Sequence, residues 1–200
     1  FSVDQKIGLN KREYYPTHSP LAKKYPEGNA DVTLREIMYE TVALSDNVGC
    51  DALFRLLGGP APVEKYIRGL GVSDMMIRYN ERDMQSEWDI QFKNWSTPWA
   101  MLQLLEVLVE DKKLSPASYD FLWNALAQSP TGPKRIRAGL PKEITWAHKT
   151  GTGGRNEQGV LSAMNDAGIV VLPDGRNVAI VIFVTNTLES DAVIESTMAA

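Results

Sequence analysis

Hydrophobic and polar positions follow two rhythms along this chain, and the change falls near residue 143. Before it, apolar residues recur every three or four positions, as on a one-sided helix; after it, β-rich runs are separated by turn residues. Thr33-Leu34-Arg35-Glu36 reads as a capping-box start, and Leu34, Ile37, Met38, Thr41 and Val42 then share one helical face. Asp51 to Leu57 is a second expected helix, stopped by Gly58-Gly59, and Val63 to Arg68 a short third after Pro60 and Pro62. Thr97-Pro98 and Ser115-Pro116 each set an N-cap before a proline, predicting helices over Met101 to Val109 and Tyr119 to Leu126. Strands are expected at Ile144 to Lys149, Gly159 to Leu172 and Val178 to Thr185, an antiparallel meander turned by Pro173-Asp174-Gly175. A last helix begins after Leu188.

Arg78 to Ser96 fits neither rhythm. It is polar, dotted with aromatics and too long to be an idle connection in a compact domain, which marks it as functional. The expected organisation is therefore a mainly helical lobe, 1–142, and a stranded one, 143–200.

Composition narrows the chemistry. With 200 residues, 44% hydrophobic and 23% charged, a sizeable core is available, and no apolar run approaches a membrane span. A net charge of −4, with scattered Lys and Arg, argues against a surface that tracks phosphates, so nucleic acid is not an expected partner. Cys50 is the single cysteine, and His18 and His148 lie far apart, so no metal-ligand spacing is present and no cofactor is expected. Phe1-Ser2-Val3-Asp4 lacks a basic and then apolar leader, which places any secretion signal outside these residues.

Three short signatures remain, in fixed order: Ser45-Asp46-Asn47 at the end of a helix, Glu81 in the irregular segment, and Lys149-Thr150-Gly151-Thr152-Gly153-Gly154 at the end of a strand. Either tripeptide arises by chance in roughly a few per cent of such chains, so the ordered pair decides more than either alone. Ser-Asp-Asn and Lys-Thr-Gly are two of the three active-site elements of class A serine β-lactamases, a family this chain resembles along nearly its whole length. The third, Ser-x-x-Lys, occurs nowhere in the 200 residues. Ser19-Pro20 resembles the family's turn before the Ser-Asp-Asn element, Asn165-Asp166 the start of its next-to-last strand, and Asn80-Glu81 its omega loop. Residues 78–98, with Gln91 to Thr97, are similar to the enlarged omega loop of the extended-spectrum subgroup.

The resemblance implies an α+β fold, an all-α lobe beside an antiparallel sheet flanked by helices with the cleft between them. The nucleophile helix and the first strands are expected to precede Phe1. It implies a bacterial, periplasmic or secreted hydrolase that opens β-lactam antibiotics through a serine acyl-enzyme. The complete protein is expected to be monomeric, and this chain to be inactive without a complementary N-terminal segment. Ser45 is the candidate proton shuttle to the leaving nitrogen, biased by the Lys149 cation, and Glu81 the base that hydrolyses the acyl-enzyme. Asn47 is expected to recognise the acylamino group. Thr150, Gly151 and Thr152 border the substrate, Thr152 with both hydroxyl and backbone N–H. Asp46 is expected to be structural.

Alternatives stay open at several positions. Ser45-Asp46-Asn47 is by itself a helix stop, and Asp83, Glu87 and Asp89 compete with Glu81 for the base. Arg135 resembles an arginine that reaches the substrate carboxylate, or is a basic helix surface; His18 is a gate at the cleft rim or a loop histidine. Cys50 and His148 are better suited to packing than to catalysis. Arg82 and Gln85 stand where the family commonly has Pro and Asn. A D-Ala-D-Ala peptidase or a non-catalytic β-lactam sensor on the same fold are the competing functions.

Overall fold

The chain opens with β1 (Lys6–Leu9), which pairs antiparallel with β2 (Ala30–Thr33), Ile7 opposite Val32 and Leu9 opposite Ala30. The pattern of the sequence predicts neither strand: four residues carry little periodicity, and the partner lies more than twenty positions away. Between them stands a 3-10 turn over Lys11–Glu13 and the short α1 (Pro20–Lys24). In the computed structural model, which describes residues 1–110 and 113–200, this segment belongs to the first of two compact units, Phe1–Ser96 and Thr97–Ala200.

From β2 the chain turns directly into α2 (Leu34–Leu44), where Thr33 caps the backbone N–H of Glu36. The expected capping box is half made: the Glu36 carboxylate accepts from Lys24 at 2.6 Å and Tyr25 at 3.0 Å instead of returning to Thr33. α3 (Asn47–Leu57) follows after two residues, capped by Asp46, so it starts one turn earlier than its apolar residues suggest. α2 and α3 approach closely at Gly49, where a Cβ would stand 2.7 Å from Thr41 Oγ1. Leu9, Leu21, Val32, Ile37 and Ala52 form the core beneath them.

α4 (Pro60–Gly69) carries both prolines in its first turn, where no intrahelical N–H is lost. Then β3 (Met75–Met76), the one-turn α5 (Glu81–Met84), a 3-10 turn over Ile90–Lys93 and β4 (Trp95–Ser96) complete the unit. β3 pairs with β4, so the long irregular segment is a loop with a closed neck.

The second unit holds α6 (Pro98–Val109), α7 (Pro116–Ala127), α8 (Ile136–Gly139), β5 (Thr145–Thr152), β6 (Leu161–Val171), β7 (Asn177–Thr187) and α9 (Asp191–Ala199). β5, β6 and β7 form the expected meander, with β6 central. β6 is buried along most of its length, with α9 covering Leu161 and Met164 and α8 joining Trp146 and Val170. Asn165-Asp166 consequently lies mid-strand, opposite Gly151 and Thr150, and not at the start of β6, because burial of Leu161 and Met164 extends the ladder upstream. The compact units divide between Ser96 and Thr97, and within the second α6 packs along β6 and β7, and α7 along β5.

Candidate active site

In the first unit the chemistry is organised by Asp46, which is fully buried. Its carboxylate accepts from Ser19 Oγ at 2.9 Å, Leu21 N at 2.6 Å and Gly49 N at 2.7 Å, tying α1 to the start of α3. This is the structural role expected of it. Ser45, just before it, closes α2 in the left-handed region, φ 58° and ψ 43°. A serine there costs on the order of 1 kcal/mol and persists because its neighbours over-determine it. Asn47 is half-buried, its N–H donating to His18 O at 3.1 Å and its Nδ2 to Thr17 Oγ1 at 2.7 Å. The exposed His18 donates from Nε2 to Leu44 O at 2.8 Å, so this imidazole is anchored to the end of α2.

Glu81 is the first residue of α5 and half-buried, whereas Asp83, Glu87 and Asp89 are exposed. The turn is held by Asp51 of α3, which accepts from the backbone N–H of Glu81 at 2.7 Å and of Arg82 at 3.1 Å, and from Tyr15 Oη at 3.1 Å. Burial raises the Asp51 carboxyl above its ordinary range despite these donors, and burial with Asp51 nearby drives the Tyr15 phenol far upward. Arg82 lies 4.9 Å over the Tyr15 ring and donates to Arg12 O and Tyr14 O. Gln85 donates to Thr17 Oγ1 at 3.0 Å. At the neck, Asn94 Oδ1 accepts from Arg78 N and Tyr79 N, and its Nδ2 donates to Tyr79 O. Glu64 accepts from Ile77 N at 3.0 Å and Arg68 Nε at 3.0 Å, and these two bonds hold its carboxyl below the ordinary range.

In the second unit, Lys149 is half-buried in β5, and its Nζ donates to Thr150 O at 2.8 Å. Thr150 Oγ1 donates to Thr131 Oγ1 at 2.9 Å, and Thr131 bonds Ser129 Oγ at 2.8 Å, a short hydroxyl chain. Gly132, at φ +56°, lets the 129–135 turn press on β5: a Cβ there would meet Thr150 Cγ2 at 2.8 Å. Arg135 is 6% exposed, so it is no basic helix surface. Its guanidinium donates to Gly151 O at 3.1 Å, Asn165 O at 2.8 Å and Thr152 Oγ1 at 2.6 Å, bracing β5 against β6. Burial lowers its pKa, with the Asp166 charge acting in the opposite sense. His148 is buried, 2.7 Å from Asp166 and stacked on Trp146.

Each unit thus gathers its own set: Ser45, Asn47, His18 and Glu81 in the first, Lys149, Thr150, Gly151, Thr152 and Arg135 in the second. Sequence reading missed the residues that hold them, Thr17, Asp51, Glu64, Asn94 and Thr131. Each acts on a group distant in the sequence, a backbone amide, a hydroxyl or, for Thr17, two side-chain amides, and no local spacing signals that.

Comparison with known proteins decides the family, since the model of the β-lactamase enzyme family matches residues 1–199. The chain belongs to the class A β-lactamase family. A β-lactamase structure from Chitinophaga pinensis DSM 2588 superposes with a TM-score of 0.95 at 50% identity, covering 98% of this chain and 73% of that one. The TLA-1 extended-spectrum β-lactamase gives 0.96 at 42% identity, covering 99% and 72%. Among curated relatives, β-lactamase VEB-1 of Pseudomonas aeruginosa is 39% identical over 97% of this chain, and extended-spectrum β-lactamase PER-1 of the same organism 35% over 98%. This class A chain spans 65% and 64% of those two relatives' lengths. Among the described residues no helix is long and apolar enough to cross a membrane.

Proposed function

We propose that the protein hydrolyses the β-lactam amide of penicillins and cephalosporins through a serine acyl-enzyme, in the periplasm or outside the cell. A serine in a Ser-x-x-Lys segment, absent from these 200 residues, supplies the nucleophile, and this chain supplies the groups that act on the bound substrate. The serine oxygen bonds the lactam carbonyl carbon and the ring C–N bond breaks. Ser45 takes up the proton released by the nucleophilic serine as it passes its own to the departing nitrogen, and the Lys149 ammonium favours that transfer. Water then adds to the ester, Glu81 takes its proton, and the serine leaves with a proton restored.

Asn47 donates to the carbonyl of the acylamino side chain. Thr150 and Lys149 meet the substrate carboxylate, with Arg135 keeping Gly151 and Thr152 in register beside it. The Thr152 N–H contributes to the oxyanion hole, Gly151 permits close approach, and His18 borders the acyl side chain. The observation that carries this reading is the buried Asp46, which turns α2 into α3 and fixes Ser45 and Asn47 on either side of it.

Nitrocefin turnover by the full-length protein tests it. Glu81→Gln is expected to slow deacylation by ~10² to 10⁴-fold, so that intact-mass spectrometry finds an accumulated acyl adduct. No turnover by the unaltered full-length protein overturns the proposal. A long-lived adduct on that unaltered protein replaces it with a peptidase that β-lactams merely trap.

A further inference from the structure

Thr17 stands between two groups that the proposed reaction uses at different stages. Its Oγ1 accepts from Asn47 Nδ2 at 2.7 Å and from Gln85 Nε2 at 3.0 Å. A hydroxyl oxygen offers two lone pairs, so both are committed to side-chain amides on separate elements. Asn47 opens α3; Gln85 ends α5, four positions after Glu81.

The mechanical setting gives this bridge its effect. α5 is a single turn and has no hydrogen-bond ladder long enough to hold its own orientation. It is tethered in its first two residues, where Asp51 takes the Glu81 and Arg82 amides, and at its C-cap, where Gln85 reaches Thr17. Two tethers at opposite ends fix rotation of the turn about its axis, and that rotation aims the Glu81 side chain. The far end is equally firm. The residue after Thr17 gives its carbonyl to Asn47 N and its ring to Leu44 O, so Thr17 sits on a strip clamped to the α2–α3 joint. One Asn47 N–H is spent on Thr17, which orients the amide and leaves the other for a ligand.

We propose that Thr17 is a positioning residue that couples recognition of the acylamino side chain by Asn47 to acyl-enzyme hydrolysis by Glu81, its hydroxyl oxygen bridging Asn47 and Gln85. The proposal rests on the hydrolase reading above. When a substrate carbonyl draws on the Asn47 amide, the shared acceptor shifts with it and the Gln85 end of α5 follows. Thr17 touches neither the scissile bond nor the attacking water; it sets where two other side chains point.

The test uses the full-length protein, with thermal melting run on every variant. Thr17→Val keeps the shape and removes the acceptor. It is expected to lower kcat/KM, which reports only the steps up to acylation, about tenfold for benzylpenicillin, which carries an acylamino group, and to leave kcat/KM for 6-aminopenicillanic acid, which lacks the acyl carbonyl, unchanged. Deacylation slows about tenfold for both substrates. Gln85→Ala slows deacylation alone, Thr17→Ser restores both constants, and the double variant is no slower in deacylation than Thr17→Val. Independent of turnover, the Asn47 side-chain amide resonance is expected to move in Gln85→Ala, because both amides share the Thr17 oxygen. Multiplicative losses in the double variant, equal kcat/KM changes for the two substrates, or an unmoved Asn47 resonance each overturn the bridge. Absence of turnover in the unaltered protein is the separate result that sinks the hydrolase reading and the coupling built on it.

Discussion

Asp46 caps α3 and Asp51 lies within it, and the two carboxylates do different work. Asp46 is sealed from water and accepts from Ser19, Leu21 and Gly49, so its side chain is the keystone of the α1–α2–α3 joint. Asp46→Ala leaves the Ser19 hydroxyl and two buried amides without their acceptor and is expected to cost about 3 kcal/mol, read as a lower urea midpoint. Asp46→Asn, which keeps one acceptor, costs less. Asp51 also collects donors, but burial outweighs them and its carboxyl is raised. A raised acid favours the fold fully below its unfolded pKa and loses that contribution as pH rises through the folded value. Asp51→Ala is therefore expected to change stability at neutral pH less than Asp46→Ala does, while slowing deacylation through a loosened α5. Comparing melting temperatures with single-turnover rates separates the two. Neither carboxylate's work can be read from spacing: Asp46 belongs to a recognisable tripeptide, but Asp51 reads only as one more polar residue on an amphipathic helix.

Elements with their own periodicity are legible and those made by distant partners are not. α2, α6, α7 and the β5–β7 meander follow from apolar spacing and from Thr97-Pro98 and Ser115-Pro116, with ends misplaced by a few residues. β1 and β2 are four residues each and exist because they meet each other; α5 exists because Asp51 and Gln85 hold it. The neck of the irregular loop shows the same dependence, since β3 and β4 are two residues each and Glu64 of α4 ties β3 in place. Glu64 titrates below the ordinary 4.5, so its contribution is present above that value and is lost as pH falls through the lower folded pKa. Glu64→Gln is expected to be less stable than the unaltered protein at pH 7 and to converge with it in strong acid, measured by urea denaturation across pH 3 to 7. Arg135 belongs at this scale as well. Sequence likeness offers it as a ligand for a carboxylate, and its burial assigns three of its N–H groups to β5 and β6.

At the scale of the molecule, two units each carry part of one family's residues, and the chain contains no Ser-x-x-Lys. The 200-residue chain alone is expected to show negligible nitrocefin hydrolysis and no covalent adduct by intact mass, whereas the full-length protein shows turnover; an adduct on the isolated chain would mean that one of its own serines is nucleophilic. The family was legible because Ser45, Asn47, Lys149 and Gly151 lie in short fixed strings, while the scaffolding that positions them runs through single long-range bonds that no string records. One such bond has a use that needs no substrate. The amides of Glu81 and Arg82 lie in a mostly exposed segment, yet their acceptor is a carboxylate on α3. They can trade hydrogen for deuterium only when α5 parts from α3, so the exchange rates of these two amides, resolved residue by residue, are a clock for the departure of the omega loop, ticking in resting protein.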